Sequence, residues 1–549
     1  MRALLFYVLF LLPVVLCARE TYETRIISGG GNEVKQYYTI EIGIRAPFAD
    51  RMFTAFGVNP YEFRNFPLQA EFTCNGKSFR SPVFYFEETH ADEKANRYFS
   101  EPSEWPWRVR FSPPDTGNWQ MTLLAGIEPM TVPMSTGILF HCTKSDRHGW
   151  LQVADDHRHF CYADGRPFFV LGQNICWADE PVLKGHSIAP TLYNNGYYDV
   201  YHYLGNLADN GGNYVRIVMA PWSTGIEWEE TGRYSQERAF ALDSMLKIAE
   251  EKNLQVQLCL DLTTGFAADN DSNTYHPYRK SFQEPGMTAS DLLTDSSALH
   301  AFDNFIRYVC ARWAYSPNVC CLELMGEQDR WQGYAGKEKN FDDFFVRVNR
   351  FVRDSVHNAH VMITTSMTGP KRIATFRNPA IAIVDIHNYD NDLRCNVKRF
   401  ALMHRSDIRK CDKPFLFGEM GMIAGPVNAC DPNDYERCSD ISMHNAMWAT
   451  TFMGGAGAGL YWWQWGNDGY REANFPALRW FIDSVAGGMS GYTGYGMWSG
   501  NGIETFYSGN KRSCVGWAHN TSYWWCNMTD SCRDRNGKEM IHPKDDDKA

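Results

Sequence analysis

From about residue 160 onward the sequence alternates short apolar runs with amphipathic stretches, and no other feature narrows the fold so far. Eight runs read as strands: Phe168–Leu171, Tyr214–Met219, Gln255–Asp261, Val319–Met325, His360–Thr365, Ala382–Ile386, Pro414–Phe417 and Ala458–Trp463. They are too short for helices and carry Pro or Gly at their borders. Between them, helical spacing is clearest over Arg238–Lys252 and Phe341–Val356. Strands alternating with helices imply a parallel sheet. Eight such units over about 320 residues are the size of a (β/α)8 TIM barrel, so the fold class is α/β with a barrel spanning 160–487.

The flanks differ. Residues 22–145 are rich in strand-like alternation, as in Tyr37–Ile44, Trp107–Phe111 and Trp119–Leu124, with Pro/Gly punctuation at Pro113-Pro114-Asp115-Thr116-Gly117. That pattern predicts an N-terminal β-sandwich. After about residue 487 short strands return, with Lys511–Ala518 and Ser522–Met528 read as two of them. A small C-terminal β-domain over 488–541 is expected, followed by a charged tail, 542–549, expected to be disordered.

The first 18 residues read as a secretory signal: Arg2, an apolar run from Leu4 to Leu16, and Cys17-Ala18 at the cleavage point. The run is short for a membrane span, and no later apolar run reaches spanning length, so a secreted protein without a membrane span is expected. Of the 16 Cys, 15 remain after the signal. Cys259, Cys310, Cys320 and Cys321 read as buried small hydrophobes, while Cys395 with Cys411, Cys430 with Cys438 and Cys526 with Cys532 are candidate disulfides. Sequons stand at Asn270, Asn520 and Asn527. A net charge of −11 argues against a nucleic-acid partner. An aromatic fraction of 15%, with 18 Trp, suits a carbohydrate partner, although most of these rings serve packing.

Two of the apolar runs end in carboxylates. Val319-Cys320-Cys321-Leu322-Glu323-Leu324-Met325-Gly326-Glu327 is one; Pro414-Phe415-Leu416-Phe417-Gly418-Glu419 is the other. A parallel barrel strand is apolar around, so a carboxylate at its tip belongs over the cavity at the carboxyl end. Two carboxylates facing one cavity are what glycosidic cleavage needs, one to give a proton and one to attack the anomeric carbon. His157-Arg158-His159 matches a metal-barrel spacing but precedes the first strand and lacks later partners, so it is read as structural.

The set Phe168-Phe169-Val170-Leu171-Gly172-Gln173-Asn174, Gly212-Asn213-Tyr214-Val215-Arg216-Ile217 and Phe417-Gly418-Glu419 resembles the clan of retaining glycoside hydrolases related to cellulases and mannanases. Trp107-Arg108-Val109-Arg110-Phe111-Ser112-Pro113-Pro114 with Gly117-Asn118-Trp119 resembles the β-sandwich that often precedes such barrels. The resemblance implies Glu327 as acid/base on the fourth strand and Glu419 as nucleophile on the seventh, with Glu323 ranking second for the fourth-strand carboxylate. It implies Arg216 paired with Glu419, His387 and Tyr389 at the end of the sixth strand, and a Trp on the eighth. Trp463 is the first choice there, Trp465 lies on the same face, and Trp462 replaces Trp463 if the register shifts by one. Trp177 and Trp222 are candidate sugar platforms; Asn174 and Gln173 are candidate hydroxyl binders. The clan carries Asn before the acid/base, where this chain has Gly326. The expected activity is hydrolysis of a β-linked glucan or mannan by double displacement, acting on oligo- or polysaccharide and using no cofactor or metal. Its rival is a carbohydrate-binding protein that kept the barrel and lost turnover. A metal-dependent hydrolase would need clustered His on the cavity floor.

Overall fold

The computed structural model describes residues 22–178, 191–260, 265–267, 276–389, 404–422, 430–431, 433–462, 473–485 and 487–529. Within them a parallel sheet forms a nearly closed barrel. Its strands are β1 (Val170–Asn174), β2 (Tyr214–Val218), β3 (Gln255–Cys259), β4 (Val319–Glu323), β5 (Met362–Thr364), β6 (Ser366–Thr368), β7 (Val384–Tyr389), β8 (Phe415–Gly421) and β9 (Gly457–Trp462). The order is β5-β4-β3-β2-β1-β9-β8-β7-β6. The two ends of that order, β5 and β6, are consecutive in the chain and separated only by Thr365. The fifth predicted strand is thus broken in two, and chain continuity bridges the ring where the ladder does not.

Strand alternation sorts the side chains. Leu171, Val215, Ile217, Val256, Leu258, Leu322 and Ile386 join the large core shared with the helices. Val170, Tyr214, Cys321, Leu416 and Leu460 form a separate interior core with Leu151, Phe160, Tyr162 and Phe168. Those last four belong to a small antiparallel sheet, 151–168, that plugs the amino end of the barrel. Phe168 pairs in that plug, so the first barrel strand begins at Val170, two residues later than the apolar run suggests. The helices expected over 238–252 and 341–356 appear as Gln236–Lys252 and Glu338–Asp354.

The N-terminal region forms a four-stranded and a five-stranded sheet. Ile40, Ile42, Ile44, Trp107 and Val109 of the first share one core with Leu68, Phe72, Trp119 and Met121 of the second. A helix at Pro47–Phe56, not foreseen, follows the first of these strands. An ionic cluster joins this region to the barrel helices. Arg110 Nη1 donates to Asp243 Oδ1 at 2.8 Å, Arg312 Nη2 to Asp243 Oδ2 at 2.8 Å, and Trp313 Nε1 to Asp243 Oδ1 at 2.7 Å. Glu41 closes the cluster by accepting from Arg108 at 2.6 Å and from Arg110.

At the other end Gly494–Gly500, Ile503–Gly509 and Cys514–Asn520 form a three-stranded sheet. Phe506 and Tyr495 place its inner face in the main core. Ser522–Met528 is not the strand expected. A turn closed by Asn520 Oδ1 on the Ser522 N–H leads into a short 3-10 helix, and Trp525 and Cys526 are buried against the helix Tyr435–Thr451 with Cys430 and Cys438. Burial of aromatic side chains, not strand propensity, decides that segment. Cys395 and Cys532 lie outside the described residues, and the expected Cys430–Cys438 disulfide is not formed, the two thiols packing instead in one buried cluster with Trp525. His157 and His159 each meet an aspartate, Asp412 and Asp156, in keeping with a structural role. Among the described residues no helix is long and apolar enough to cross a membrane.

Candidate active site

The carboxyl ends of β1, β2, β4, β7, β8 and β9 meet over one polar centre, and Arg216 is its hub. Arg216 stands in register with Asn174 on β1 and Gln257 on β3, so all three share the barrel interior. Its Nε donates to Glu323 Oε2 at 2.6 Å and its Nη2 to Glu323 Oε1 at 3.1 Å. Its Nη1 donates to Glu419 Oε1 at 2.6 Å. A planar guanidinium with several fixed donors is the side chain suited to holding two carboxylates at once. Gly418 admits this packing, since a Cβ there would overlap the Asp385 carboxylate.

Glu323 is wholly enclosed. Besides Arg216 it accepts from Gln257 Nε2 at 2.9 Å and Ser366 Oγ at 2.7 Å. Burial raises its proton affinity, but the Arg216 charge and bonds outweigh it and hold the carboxyl below its ordinary range. With 0% exposure it has no route to a ligand. Glu327 lies further out. Its Oε1 meets His387 Nδ1 at 2.9 Å and its Oε2 meets Arg330 Nη1 at 3.0 Å. The same His387 Nδ1 is 3.4 Å from Glu419 Oε2, and Tyr389 Oη donates to that oxygen at 2.6 Å. One oxygen of Glu327 and one of Glu419 therefore lie within 4.8 Å of each other.

Electrostatics follow from this crowding. Burial disfavours the imidazolium of His387, but the Glu419 charge and then the bond to Glu327 push it up to about 9. Burial likewise works against the Glu327 carboxylate, yet the His387 bond and charge and the nearby Arg330 bring it down to about 2. At neutral pH one imidazolium thus bridges two carboxylates. Asp385, beneath them, is raised to about 7 by burial and by the Glu323 charge. Glu327, His387 and Glu419 also have the spacing of a cation site. Their charge is already met by Arg216, Arg330 and the imidazolium, so the donor set fits a proton carrier better than a metal cage.

An aromatic wall flanks the carboxylates. Trp177 packs edge-on against Trp222 at 5.1 Å and against Trp462 at 5.3 Å, and Trp462 meets Tyr389 at 6.5 Å. Trp177 and Trp222 are thus linked to Tyr389 through Trp462. On β9, Trp462 is in register with Asn174, while Trp463 and Trp465 lie outside the described residues. Asn174 does not reach the cavity: it is fully buried and donates to the Gly418 and Leu460 carbonyls while accepting from Arg216. In this structure its amide braces β1 against β8 and β9. Gln173, one residue earlier, is buried, with neither amide atom partnered among the described residues. Gly326 borders Arg216 and Cys259, and a Cβ there would stand 3.3 Å from Arg216 Nη2.

Asp385, Gln257, Arg330 and Ser366 were not foreseen. Asp385 had a readable signal, since Asp385-x-His387-x-Tyr389 places all three on one strand face. Ser366 had none, because its position follows from the break in the fifth strand.

Comparison with known proteins bears on the fold. Residues 33–125 match a domain of unknown function, DUF5060. No curated protein is similar to the chain at a significant level. A solved structure from Bacteroides vulgatus ATCC 8482, provisionally described as a glycoside hydrolase, aligns over 87% of this chain and 84% of its own, with 16% identity and a TM-score of 0.54. A glycoside hydrolase family 5 mannosidase from Rhizomucor miehei aligns over 58% and 86%, with 13% identity and a TM-score of 0.40. A β-1,4-D-mannanase from Cryptopygus antarcticus aligns over 60% and 94%, with 15% identity and a TM-score of 0.41. The overall fold is shared with the Bacteroides vulgatus structure.

Proposed function

We propose that the chain is a retaining glycoside hydrolase, with Glu419 as nucleophile and Glu327 as acid/base. The observation that carries this is the separation of the two carboxylates, with oxygens within 4.8 Å across His387. Retaining enzymes hold the pair about 5–5.5 Å apart, whereas inverting enzymes leave about 6.5–9.5 Å for a water. Arg216 donates to one oxygen of Glu419 and Tyr389 to the other, which aims the carboxylate. Attack converts Glu419 into an ester and removes its charge. That charge is the main support of the His387 imidazolium, so its proton is released toward Glu327 as the leaving oxygen needs one. In the second step Glu327 takes a proton from the water that hydrolyses the ester and, as the charge returns to Glu419, passes it back to His387.

The substrate read from the sequence resemblance is a β-linked glucan or mannan, with Trp177, Trp222 and Trp462 offering ring faces beside the carboxylates. Also part of the reading are the division into a leader, a β-sandwich, the (β/α)8 barrel and a C-terminal β-domain, and export from the cell. Gly326 favours the alternative of a sugar-binding barrel with weak or no turnover, because no side chain stands where the clan has its amide.

The test is mechanism-based labelling. Activated 2-fluoro β-glycosides of several sugars are incubated with wild type and Glu419→Gln, and intact mass is recorded. One adduct per chain, mapped to Glu419 and absent from the variant, is expected, and the sugar that labels names the substrate. No adduct with any sugar, alongside measurable oligosaccharide binding, selects the binding protein instead.

A further inference from the structure

The break in the fifth strand lies directly against the segment that carries Glu327. Glu327 has φ +50°, in the left-handed region that residues with a Cβ seldom adopt. Such a conformation persists only where the surroundings over-determine it. Here the surroundings are β5 and β6. The Ser366 N–H donates to the Met325 carbonyl at 3.1 Å, and the Thr365 hydroxyl donates to the same oxygen at 2.9 Å. Ser366 Oγ accepts the Glu327 N–H at 2.8 Å. The Thr368 N–H donates to Asp329 Oδ1 at 2.9 Å. Neighbouring side chains of a regular strand point to opposite faces, yet Thr365 and Ser366 both grip the 325–329 segment. The interruption makes that possible.

Ser366 also faces inward. The hydroxyl that holds the Glu327 peptide donates to Glu323 Oε1 at 2.7 Å, and Glu323 is locked to Arg216, which holds Glu419. A continuous chain of bonds therefore runs from the Glu327 backbone to the Glu419 carboxylate. We propose that the interrupted fifth strand, acting through Ser366, is the positioning element for the acid/base, setting the Glu327 carboxylate at its distance from His387 and Glu419. This rests on the reading of Glu327 as acid/base. Ser366 touches no substrate; it acts through Glu327.

Ser366→Ala tests it. Release of a strongly acidic phenol needs no proton from the enzyme, whereas release of a sugar alcohol does. The probes are the dinitrophenyl β-glycoside and the corresponding disaccharide of the sugar that labels Glu419, compared by kcat/KM, which reports the first chemical step. A loss of about 10- to 100-fold on the disaccharide, with less than about 3-fold on the dinitrophenyl glycoside, is expected for a misplaced general acid. Equal losses on both, or no loss on either, overturn the proposal. A crystal structure of the variant gives a readout that needs no activity. The proposal expects Glu327 to leave the left-handed region and its carboxylate to leave His387; an unmoved Glu327 overturns it. If wild type neither labels nor turns over, the functional reading fails, while this structure still decides whether Ser366 positions Glu327.

Discussion

Two buried arginine–carboxylate networks run through this molecule, and they are finished to different degrees. At the junction of the N-terminal sheets with the barrel, Asp243 accepts from Arg110, Arg312 and Trp313, while Glu41 accepts from Arg108 and Arg110. Arg312 spends its remaining donors on Gln236 Oε1 and Tyr308 Oη. In the barrel centre the bonds are as short, but His387 Nε2 and Asp385 Oδ1 are buried without a hydrogen-bond partner among the described residues. Burial raises the proton affinity of Asp243, and Arg110 and Arg312 more than reverse it, so Asp243 is simply ionised. In the centre four acids and a histidine share one neighbourhood, and Asp385 and His387 are pulled into the titratable range. A network with all its groups satisfied holds a structure together; one left short of partners at its open side can move a proton.

Removing one carboxylate from each network should separate these roles. Glu419→Gln is expected to lower kcat by at least about 10⁴-fold, because no other group can form the ester, while thermal unfolding changes little since Glu323 still holds Arg216. A variant with near-normal turnover would break the contrast. Asp243→Asn should do the reverse. It leaves Arg312 buried without its carboxylate and Arg110 with Glu41 alone, at a cost of about 3–5 kcal/mol in a denaturation experiment, with kcat/KM kept within about 3-fold under native conditions.

The pH profile sharpens the comparison further. His387 stands above the ordinary histidine value, so its proton is present through neutrality and leaves as pH rises through about 9, and wild-type activity should fall there. In His387→Asn the bond and charge that hold Glu327 down are gone, its proton affinity rises, and the basic limb should drop by several pH units into the carboxylic range. A basic limb that stays near 9 would show that His387 does not carry the proton. The smallest effect is expected at Arg330, whose side chain is 48% exposed, so that solvent screens its pull on Glu327. Arg330→Ala should change kcat less than about 3-fold.

Much of this was legible in the chain. Each barrel strand had its apolar run within a few residues of its place, because strands buried on both faces must be apolar throughout. Glu327, Glu419, His387 and Tyr389 stood just beyond the ends of those runs, and Arg216 stood inside the second, where an ionisable residue has only the barrel interior to face. The eighth predicted strand was harder, since Tyr461-Trp462-Trp463-Gln464-Trp465 is aromatic on both faces and gives no register; pairing of Asn174 with Trp462 supplies it. Ser522–Met528 failed for a similar reason, as aromatic residues suit a strand and a buried turn equally well.

What the sequence determined by itself is the alternation of apolar runs with helices and the charged residues at the run ends, both of which are local and periodic. The tertiary structure decided the rest: that Glu323 is sealed under Arg216 while Glu327 reaches His387, that Asn174 is a brace, and that the fifth strand breaks at Thr365 to hold Glu327 in a left-handed turn. Those outcomes depend on hydrogen bonds between residues some 40 to 240 positions apart. No pattern of neighbours along the chain encodes them, because a hydrogen bond depends on which groups the closed barrel brings within 3 Å, and that distance exists only once the barrel has formed.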